Sequence, residues 1–311
     1  MLCASAVRLQ FNPADDGEQS PRSSEVVCAI RALLGVADGR LDYADSKIKL
    51  DLLVDPSFDS LAVLKELDEL TNRALELWRG DSRPAFRLGA VRRLLYDAGS
   101  WNDYRPFSYD MNDPQGRLLR NKLLHNYLTT RKGQCVSMPV LFLILARRLG
   151  LNVALTSAPE HLLVRYTDGQ SRSYNIETTS GGHPAREEWV RQNHPITDRS
   201  IETGIYLRTL SPREGIAAMA STVVEHLYAQ ARFEQVISVC EIILHHHPRD
   251  VAAMLWLGSA SGKLLEQFQE RYARPGTAPP RESIRASKLA TRNAQFFALA
   301  ENLGWVPSEQ E

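Results

Sequence analysis

The stretch RKGQCVSMPVLFLILARRLGL, residues 131–151, places one cysteine between a glycine-containing turn and a long apolar run. The apolar spacing predicts a helix from about Cys135 to Leu149, with Gly150 as its C-terminal cap. Nearly every face of this run is apolar, so we expect a central, buried helix. Proline is best tolerated in the first turn of a helix, and Pro139 therefore favours a start one or two residues after Cys135.

Cys135 lies where the free backbone N–H groups and the positive end of the helix dipole are expected. Both favour the thiolate, which is the nucleophilic form of cysteine. The same N–H groups could hold an oxyanion, and the side chain of Gln134 is a second candidate donor or, equally, a cap of the helix start. The alternative for Cys135 is an inert core thiol, because free cysteines are among the most buried residues.

The periodicity changes after this helix. Residues 152–179 carry β-branched and aromatic side chains around the turn signal Asp168-Gly169, which predicts two or three antiparallel strands. Residues 204–210 are a candidate for one more strand. His161 begins one of the predicted strands, and Glu177 closes another.

A cysteine nucleophile needs a base, and the base needs a group that orients it. A helix start that faces adjacent strands would bring Cys135, His161 and Glu177 together. Asn175 shares a strand face with Glu177 because strand side chains alternate, so it is the rival orienting residue.

Three segments carry a family resemblance: GQC at a helix start, EHLLVRY, and NIETTSGG. They resemble the transglutaminase-like superfamily, which has a papain-like core with Cys, His and Asp in this order. The similarity covers most of residues 25–270 and is greatest to a bacterial branch with helices before the core and tetratricopeptide-like helices after it. It implies that Cys135 is the nucleophile, His161 the general base and Glu177 the orienting acid.

This chain departs from the family pattern at one position. The family's acid is usually Asp followed by Pro, whereas Glu177 is followed by Thr178. The longer side chain can still reach an imidazole, but the departure keeps Asn175 open as the orienting residue.

The loop DAGSWNDYRPFSYDMNDPQG, residues 97–116, is rich in turn formers and in aromatic side chains that favour burial. Trp101, Asn102 and Tyr109 could wall a substrate cleft or supply an oxyanion donor, or the loop could simply pack the first helices onto the core. His183 follows two glycines after the last predicted strand and is a further cleft candidate, with a surface role as its alternative.

The pattern as a whole predicts a mostly helical α+β fold, in which a central helix packs on a small antiparallel sheet. We expect a loose arm at residues 1–22, a helical domain at 23–112, a transglutaminase-like core at 113–210 and tetratricopeptide-like helices at 211–311. The repeat-like part is ARFEQVISVCEIILHHHPRDVAAMLWLGSASG, and it follows the repeat pattern only partly.

Composition narrows the function classes. The 37 basic side chains balance 37 acidic ones, which argues against a nucleic-acid or membrane-surface protein. Four dispersed cysteines without a CxxC pair indicate neither a disulfide framework nor a zinc site, and they fit a reducing cytoplasm. We recognise no signal peptide and no transmembrane run. His245, His246 and His247 point about 100° apart on a helix and cannot share one ion, so no metal or cofactor is expected.

These observations favour a cysteine-dependent acyl-transfer enzyme, a peptidase, amidase or transglutaminase, that acts on a protein or peptide substrate. The alternative is a catalytically silent scaffold that binds a protein partner through its C-terminal helices. A redox sensor based on Cys135 ranks third, because no second cysteine lies close in sequence to resolve an oxidised sulfur.

Overall fold

The computed structural model describes residues 21–80, 83–274 and 276–307. It confirms the mostly helical α+β fold. The arm predicted for residues 1–22 lies outside the described residues, except that its last two residues already belong to the first helix. The helices are α1 (Pro21–Leu34), α2 (Tyr43–Val54), α3 (Ser60–Trp78), α4 (Pro84–Tyr96), α5 (Leu124–Thr130), α6 (Ser137–Arg148), α7 (Glu187–Asn193), α8 (Asp198–Glu202), α9 (Pro212–Met219), α10 (Ser221–Ala229), α11 (Phe233–His246), α12 (Val251–Arg271) and α13 (Pro280–Asn302).

Helix α6 is the central element of the fold. Every residue from 137 to 146 is buried, as the continuous apolar run predicts. The helix begins two residues after Cys135, with Pro139 in its first turn. Backbone N–H groups in the first turn have no partner within the helix, so the missing N–H of a proline there costs no hydrogen bond. Gly150 follows the helix with a left-handed φ of 73°, which a residue without a Cβ adopts at little cost.

A four-stranded antiparallel sheet packs against α6 in the order β3–β4–β5–β6. Its strands are β3 (Val153–Ala158), β4 (His161–Thr167), β5 (Ser173–Glu177) and β6 (His183–Ala185). A separate parallel pair, β1 (Ser108–Tyr109) and β2 (Lys132–Gly133), joins the aromatic loop to the segment before Cys135. The predicted turn after β4 is present, and β6 extends the sheet beyond the predicted strands.

The extra strand predicted at residues 204–210 is wrong. This segment runs beside β3, where the N–H of Leu207 donates to the carbonyl of Ser157 and that of Leu210 donates to Leu155, both at 2.9 Å. Leu207 has a left-handed φ of 55°, which interrupts the extended backbone that a strand requires.

One apolar core connects the helical layers, from Val27 in α1 to Ala300 in α13. Helix α1 packs on α11, and α2 packs on α9 and α10, so the N-terminal and C-terminal helices contact each other directly. The domain boundaries given above remain predictions. Across the described part of the chain, no helix combines the length and the apolar character that crossing a bilayer requires.

A buried ion pair anchors α2 to the segment that leads to the cysteine. Lys47 Nζ donates to Asp51 Oδ1 at 2.5 Å and to the carbonyl of Lys122 at 2.9 Å. The other carboxylate oxygen of Asp51 accepts the N–H of Leu124 at 2.7 Å. Burial raises the pKa of Asp51, and the charge of Lys47 opposes that rise. Since both side chains are almost fully enclosed, the pair fixes the position of α5 relative to α2.

Candidate active site

Cys135 lies in the short turn before α6 and is half-buried, so its sulfur can be reached from solvent. The Cys135 thiol is 3.5 Å from the carbonyl oxygen of Glu160, within hydrogen-bond reach for sulfur. Glu160 directly precedes His161. The cysteine at the helix start and the histidine at the strand start are therefore brought together, although 26 positions separate them in the sequence.

The local backbone explains how His161 reaches this place. Ala158 and His161 pair across β3 and β4, so Pro159 and Glu160 form a two-residue turn. Glu160 has a left-handed φ of 55°, and proline followed by a left-handed residue is the pattern of a type II turn. That third position normally favours glycine, so the turn holds some backbone strain next to the candidate base.

Glu177 hydrogen-bonds to the imidazole of His161. Its Oε2 lies 2.8 Å from His161 Nε2, and the two side chains are only 5% and 11% exposed. Its Oε1 accepts from the backbone N–H of Thr179 at 2.9 Å and from the Thr179 hydroxyl at 2.6 Å. Both carboxylate oxygens are thus engaged. Because Nε2 faces Glu177, Nδ1 is the ring nitrogen left for Cys135.

The electrostatics favour a charged imidazole. Burial lowers the pKa of His161, but its hydrogen bonds with Cys135 and Glu177 and the negative charges of both outweigh burial and raise the pKa to about 9. Burial also disfavours the ionised form of Glu177, yet the hydrogen bonds and charge of His161, together with Thr179, leave the pKa of Glu177 below its usual value. The arrangement can therefore hold an imidazolium between Cys135 and the carboxylate of Glu177.

Asn175, the rival orienting residue, points to a different partner. Its Oδ1 accepts from Arg165 at 2.8 Å, and the two residues pair directly across β4 and β5. Two residues along a strand span about 6.6 Å. Asn175 therefore lies about 6.6 Å further from the end of β5 than Glu177 does. In this geometry, the carboxylate of Glu177 hydrogen-bonds to His161, whereas the amide of Asn175 hydrogen-bonds to Arg165.

The side chain of Gln134 hydrogen-bonds to the aromatic loop. Its amide nitrogen donates to the carbonyl of Asp113 at 2.5 Å and, more weakly, to that of Asp110 at 3.4 Å. These bonds tie the aromatic loop to the cysteine turn. With the Gln134 amide so engaged, the backbone N–H groups at the start of α6 are the donors left for an oxyanion.

The contacts of Gly133 and Ser137 explain why these two residues stand on either side of the cysteine. A Cβ on Gly133 would lie 2.5 Å from a ring carbon of Tyr127 and 2.6 Å from Ser137 Oγ, so only glycine fits. Ser137 Oγ accepts the N–H of Gln134 at 3.1 Å and donates to the carbonyl of Asn121 at 2.6 Å. This hydroxyl therefore fixes the turn from which Cys135 projects.

The cleft candidates separate into two groups. Trp101 donates its indole N–H to carbonyls at the end of α4, and the buried Asn102 amide does the same, so these two side chains anchor the loop to α4. Tyr109 pairs with Gly133, two residues before Cys135, across β1 and β2, and its hydroxyl donates to the carbonyl of Pro114 at 2.9 Å. Burial and the negative charge of Cys135 both raise the pKa of its phenol. His183 is exposed and pairs with Glu177 across β5 and β6.

Sequence reasoning missed three residues around the site. Ser137 and Thr179 supply hydroxyls, and their only sequence signals are short polar side chains close to Cys135 and Glu177. His194, which follows α7, stacks its ring on that of His161, with the ring centroids 5.0 Å apart and an interplanar angle of 22°. No local pattern links His194 to a base that lies 33 residues upstream, since tertiary packing alone brings them together.

A family model described as the transglutaminase-like superfamily matches residues 61–233, more than half of the chain. The chain belongs to the transglutaminase-like superfamily. The match includes Cys135, His161 and Glu177, and it extends on both sides of the 113–210 core that the sequence predicts. The family resemblance of GQC, EHLLVRY and NIETTSGG is therefore confirmed.

A second comparison finds a distant relative. The chain is similar to UPF0162 protein BU173 of Buchnera aphidicola subsp. Acyrthosiphon pisum (strain APS), at 22% identity over 224 residues. The aligned region covers 71% of this chain and 80% of that protein. As a transglutaminase-like protein, this chain thus shares a long region with that relative.

Proposed function

We propose that this protein is a cysteine-dependent acyl-transfer enzyme that uses Cys135, His161 and Glu177. One observation carries the proposal: the His161 imidazole hydrogen-bonds to Glu177 at 2.8 Å and also interacts with the thiol of Cys135. A nucleophile that contacts a base, which in turn contacts an orienting acid, is the arrangement of a catalytic triad. The half-buried sulfur leaves a path for a substrate carbonyl.

The first half-reaction starts from the thiolate of Cys135 and the imidazolium of His161. The sulfur attacks the carbonyl carbon, a C–S bond forms, and the carbonyl π electrons move to the oxygen. Backbone N–H groups at the start of α6 stabilise this oxyanion. When the tetrahedral intermediate collapses, the bond to the leaving amine or alcohol breaks, and His161 donates its proton to that group.

The second half-reaction resolves the thioester on Cys135. Water or a primary amine gives a proton to His161 and attacks the thioester carbonyl. The C–S bond then breaks, and the thiolate is restored beside the imidazolium. Glu177 keeps its charge throughout and holds the imidazole in place. Water as acceptor makes the protein a peptidase or amidase, and an amine acceptor makes it a transglutaminase. A protein or peptide is the proposed substrate class.

An activated ester such as p-nitrophenyl acetate tests this proposal. Mass spectrometry of proteolytic peptides should find the acyl group on Cys135 in the wild type and not in Cys135→Ala. His161→Ala should slow acylation by about 100-fold or more, as expected for the loss of general acid–base catalysis. Cys28→Ala is the matched control, because Cys28 is an exposed free thiol away from the triad.

A different pattern of acylation would contradict an enzymatic role for Cys135. If Cys28 is acylated as fast as Cys135 and His161→Ala has no effect, Cys135 reacts only as an ordinary thiol. Added primary amine separates the two acceptors, because transamidation yields an amide product whereas hydrolysis yields an acid. The chain holds the residues for either route.

The second candidate function is a scaffold that binds a protein partner through its C-terminal helices. A groove between α11, α12 and α13 supports it, with Leu264, Phe268 and Leu289 among its apolar lining residues and Glu234 and Arg285 at its polar side. A partner that copurifies with Cys135→Ala but is lost from Leu264→Glu would favour the scaffold. A biological effect abolished by Cys135→Ala alone would favour the enzyme.

A further inference from the structure

His194 is the residue of the site that the catalytic steps above leave without a role. It follows the last turn of α7, where its N–H donates to the carbonyl of Val190 at 3.0 Å and its own carbonyl accepts from Ile196 at 2.8 Å. These two bonds fix the backbone of His194. Its half-buried ring lies against the face of the His161 ring, 5.0 Å between centroids and 22° from parallel.

Two stacked imidazoles are compatible only if at most one of them is charged. Burial and the positive charge of His161 lower the pKa of His194. The negative charge of Glu177 and a hydrogen bond with the backbone of Pro159 act in the opposite direction but do not outweigh them. The titratable groups that act on the two rings are Glu177 from β5 and Cys135 from the turn before α6.

The stacked ring restricts how His161 can move. An imidazole that rotates about its Cβ–Cγ bond would swing Nδ1 away from the sulfur and Nε2 away from Glu177. Contact on one face blocks part of this rotation. The 2.8 Å bond to Glu177 lies between side chains that are only 11% and 5% exposed. A shielded hydrogen bond is stronger, because the local dielectric constant is lower.

We propose that His194 is a positioning residue, which stacks in its uncharged form on His161 and holds that ring between Cys135 and Glu177. This inference rests on the proposed acyl-transfer function for its biological meaning, but not for its test. Protonation of His194 would place two positive rings face to face. The thiolate–imidazolium pair would then be weakened at acid pH.

Alkylation of Cys135 by iodoacetamide tests the proposal without an acyl substrate. The rate constant is followed by mass spectrometry of the peptide that contains Cys135, from about pH 4 to pH 9, a range that spans the ordinary pKa of histidine. The full-length wild type is compared with His194→Ala and His194→Phe. Phenylalanine keeps a flat ring but cannot be protonated.

His194→Ala is expected to lower the rate constant near neutral pH by about 3- to 10-fold, the size of effect that an aromatic pair supplies. His194→Phe is expected to lose less than His194→Ala and to move the acid limb of the profile to lower pH than in the wild type. The matched control is His226→Phe in α10, a half-buried histidine whose pKa burial likewise lowers. Its acid limb should coincide with that of the wild type.

Two results would overturn the proposal: a His194→Ala rate within twofold of the wild type, or an acid limb of His194→Phe that matches the wild type. If His194→Ala does not fold, as judged by urea unfolding, the acid limb of His194→Phe decides alone. Failure of the proposed function is seen separately, as the absence of acylation by the ester in a wild type whose Cys135 is still alkylated.

Discussion

Replacement of Glu177 by glutamine removes the charge that orients His161 while keeping the shape of the side chain. The carboxylate uses Oε2 for His161 and Oε1 for two bonds from Thr179. An amide has only one acceptor oxygen. Glu177→Gln can therefore accept from the imidazole N–H or from Thr179 but not through two separate oxygens, and it loses the ion pair in both cases.

The size of the effect follows from the distance and the pKa. At 2.8 Å, two unit charges attract by roughly 6 kcal/mol at an effective dielectric constant of about 20, before any cost of burial. The rise in the pKa of His161 from 6.5 to about 9 corresponds to roughly 3 kcal/mol, which Cys135 and Glu177 supply together against burial. We therefore expect the variant to lose about 1.5–3 kcal/mol of this stabilisation, or about 10- to 150-fold in acylation rate.

Two measurements check this expectation. The acylation rate of Cys135 by the activated ester gives the fold loss, and NMR of the ¹³C-labelled imidazole gives the pKa of His161, which should fall below about 9. The raised pKa also means that, while Glu177 is ionised, the ion pair stabilises the fold fully below pH 6.5 and loses that contribution as the pH rises through about 9. The stability gap between the wild type and Glu177→Gln should narrow over the same range.

Asn175→Ala is the matched control, because Asn175 accepts from Arg165 and not from His161. Glu177→Asp adds a distance test: a side chain shorter by about 1.5 Å would stretch a 2.8 Å bond beyond hydrogen-bond range unless the strand moves. The reasoning is refuted if Glu177→Gln acylates within twofold of the wild type, or if Asn175→Ala loses more activity than Glu177→Gln.

Three further substitutions probe the scaffold, each read out as the free energy of unfolding in urea. Lys47→Met should cost about 3–5 kcal/mol, because it leaves the carboxylate of Asp51 buried without its cation; a loss below 1 kcal/mol, about that of an exposed pair, would contradict this. Gly133→Ala should cost about 1–3 kcal/mol, because its Cβ would clash with the fully buried Tyr127 at 2.5 Å, and an unchanged midpoint would show that the ring yields freely. Glu160→Gly should stabilise by up to about 1 kcal/mol by relieving a left-handed φ of 55°, whereas a lower midpoint would mean that the side chain itself is needed.

Much of the site could be predicted from local sequence. Cys135 at a helix start, His161 at a strand start and Glu177 at a strand end each follow from periodicity and turn chemistry, which depend on near neighbours only. The buried character of α6 and its start after Cys135 follow in the same way, from a continuous apolar run and the place of Pro139. Periodicity alone does not indicate that these three residues belong to one site. The order Cys, His and acid, which the family shares, supplies that link.

The choice between near-equivalent partners needed the tertiary structure. Glu177 and Asn175 share a strand face, and only the pairing of Asn175 with Arg165 across the sheet separates them. From the sequence, Gln134 could be an oxyanion donor or a helix cap. The structure shows that its amide donates to the carbonyl of Asp113 instead.

The sequence by itself determined the buried helix α6 and the strands β3, β4 and β5, and it placed Cys135, His161 and Glu177 at the ends of α6, β4 and β5. Only the tertiary structure decided which polar atoms meet, because hydrogen bonds and ring stacking depend on ångström-scale distances between segments that are remote in the chain. His194 illustrates the limit: its stacking on His161 at 5.0 Å arises from the packing of α7 beside the sheet, and nothing in the residues around it specifies that contact.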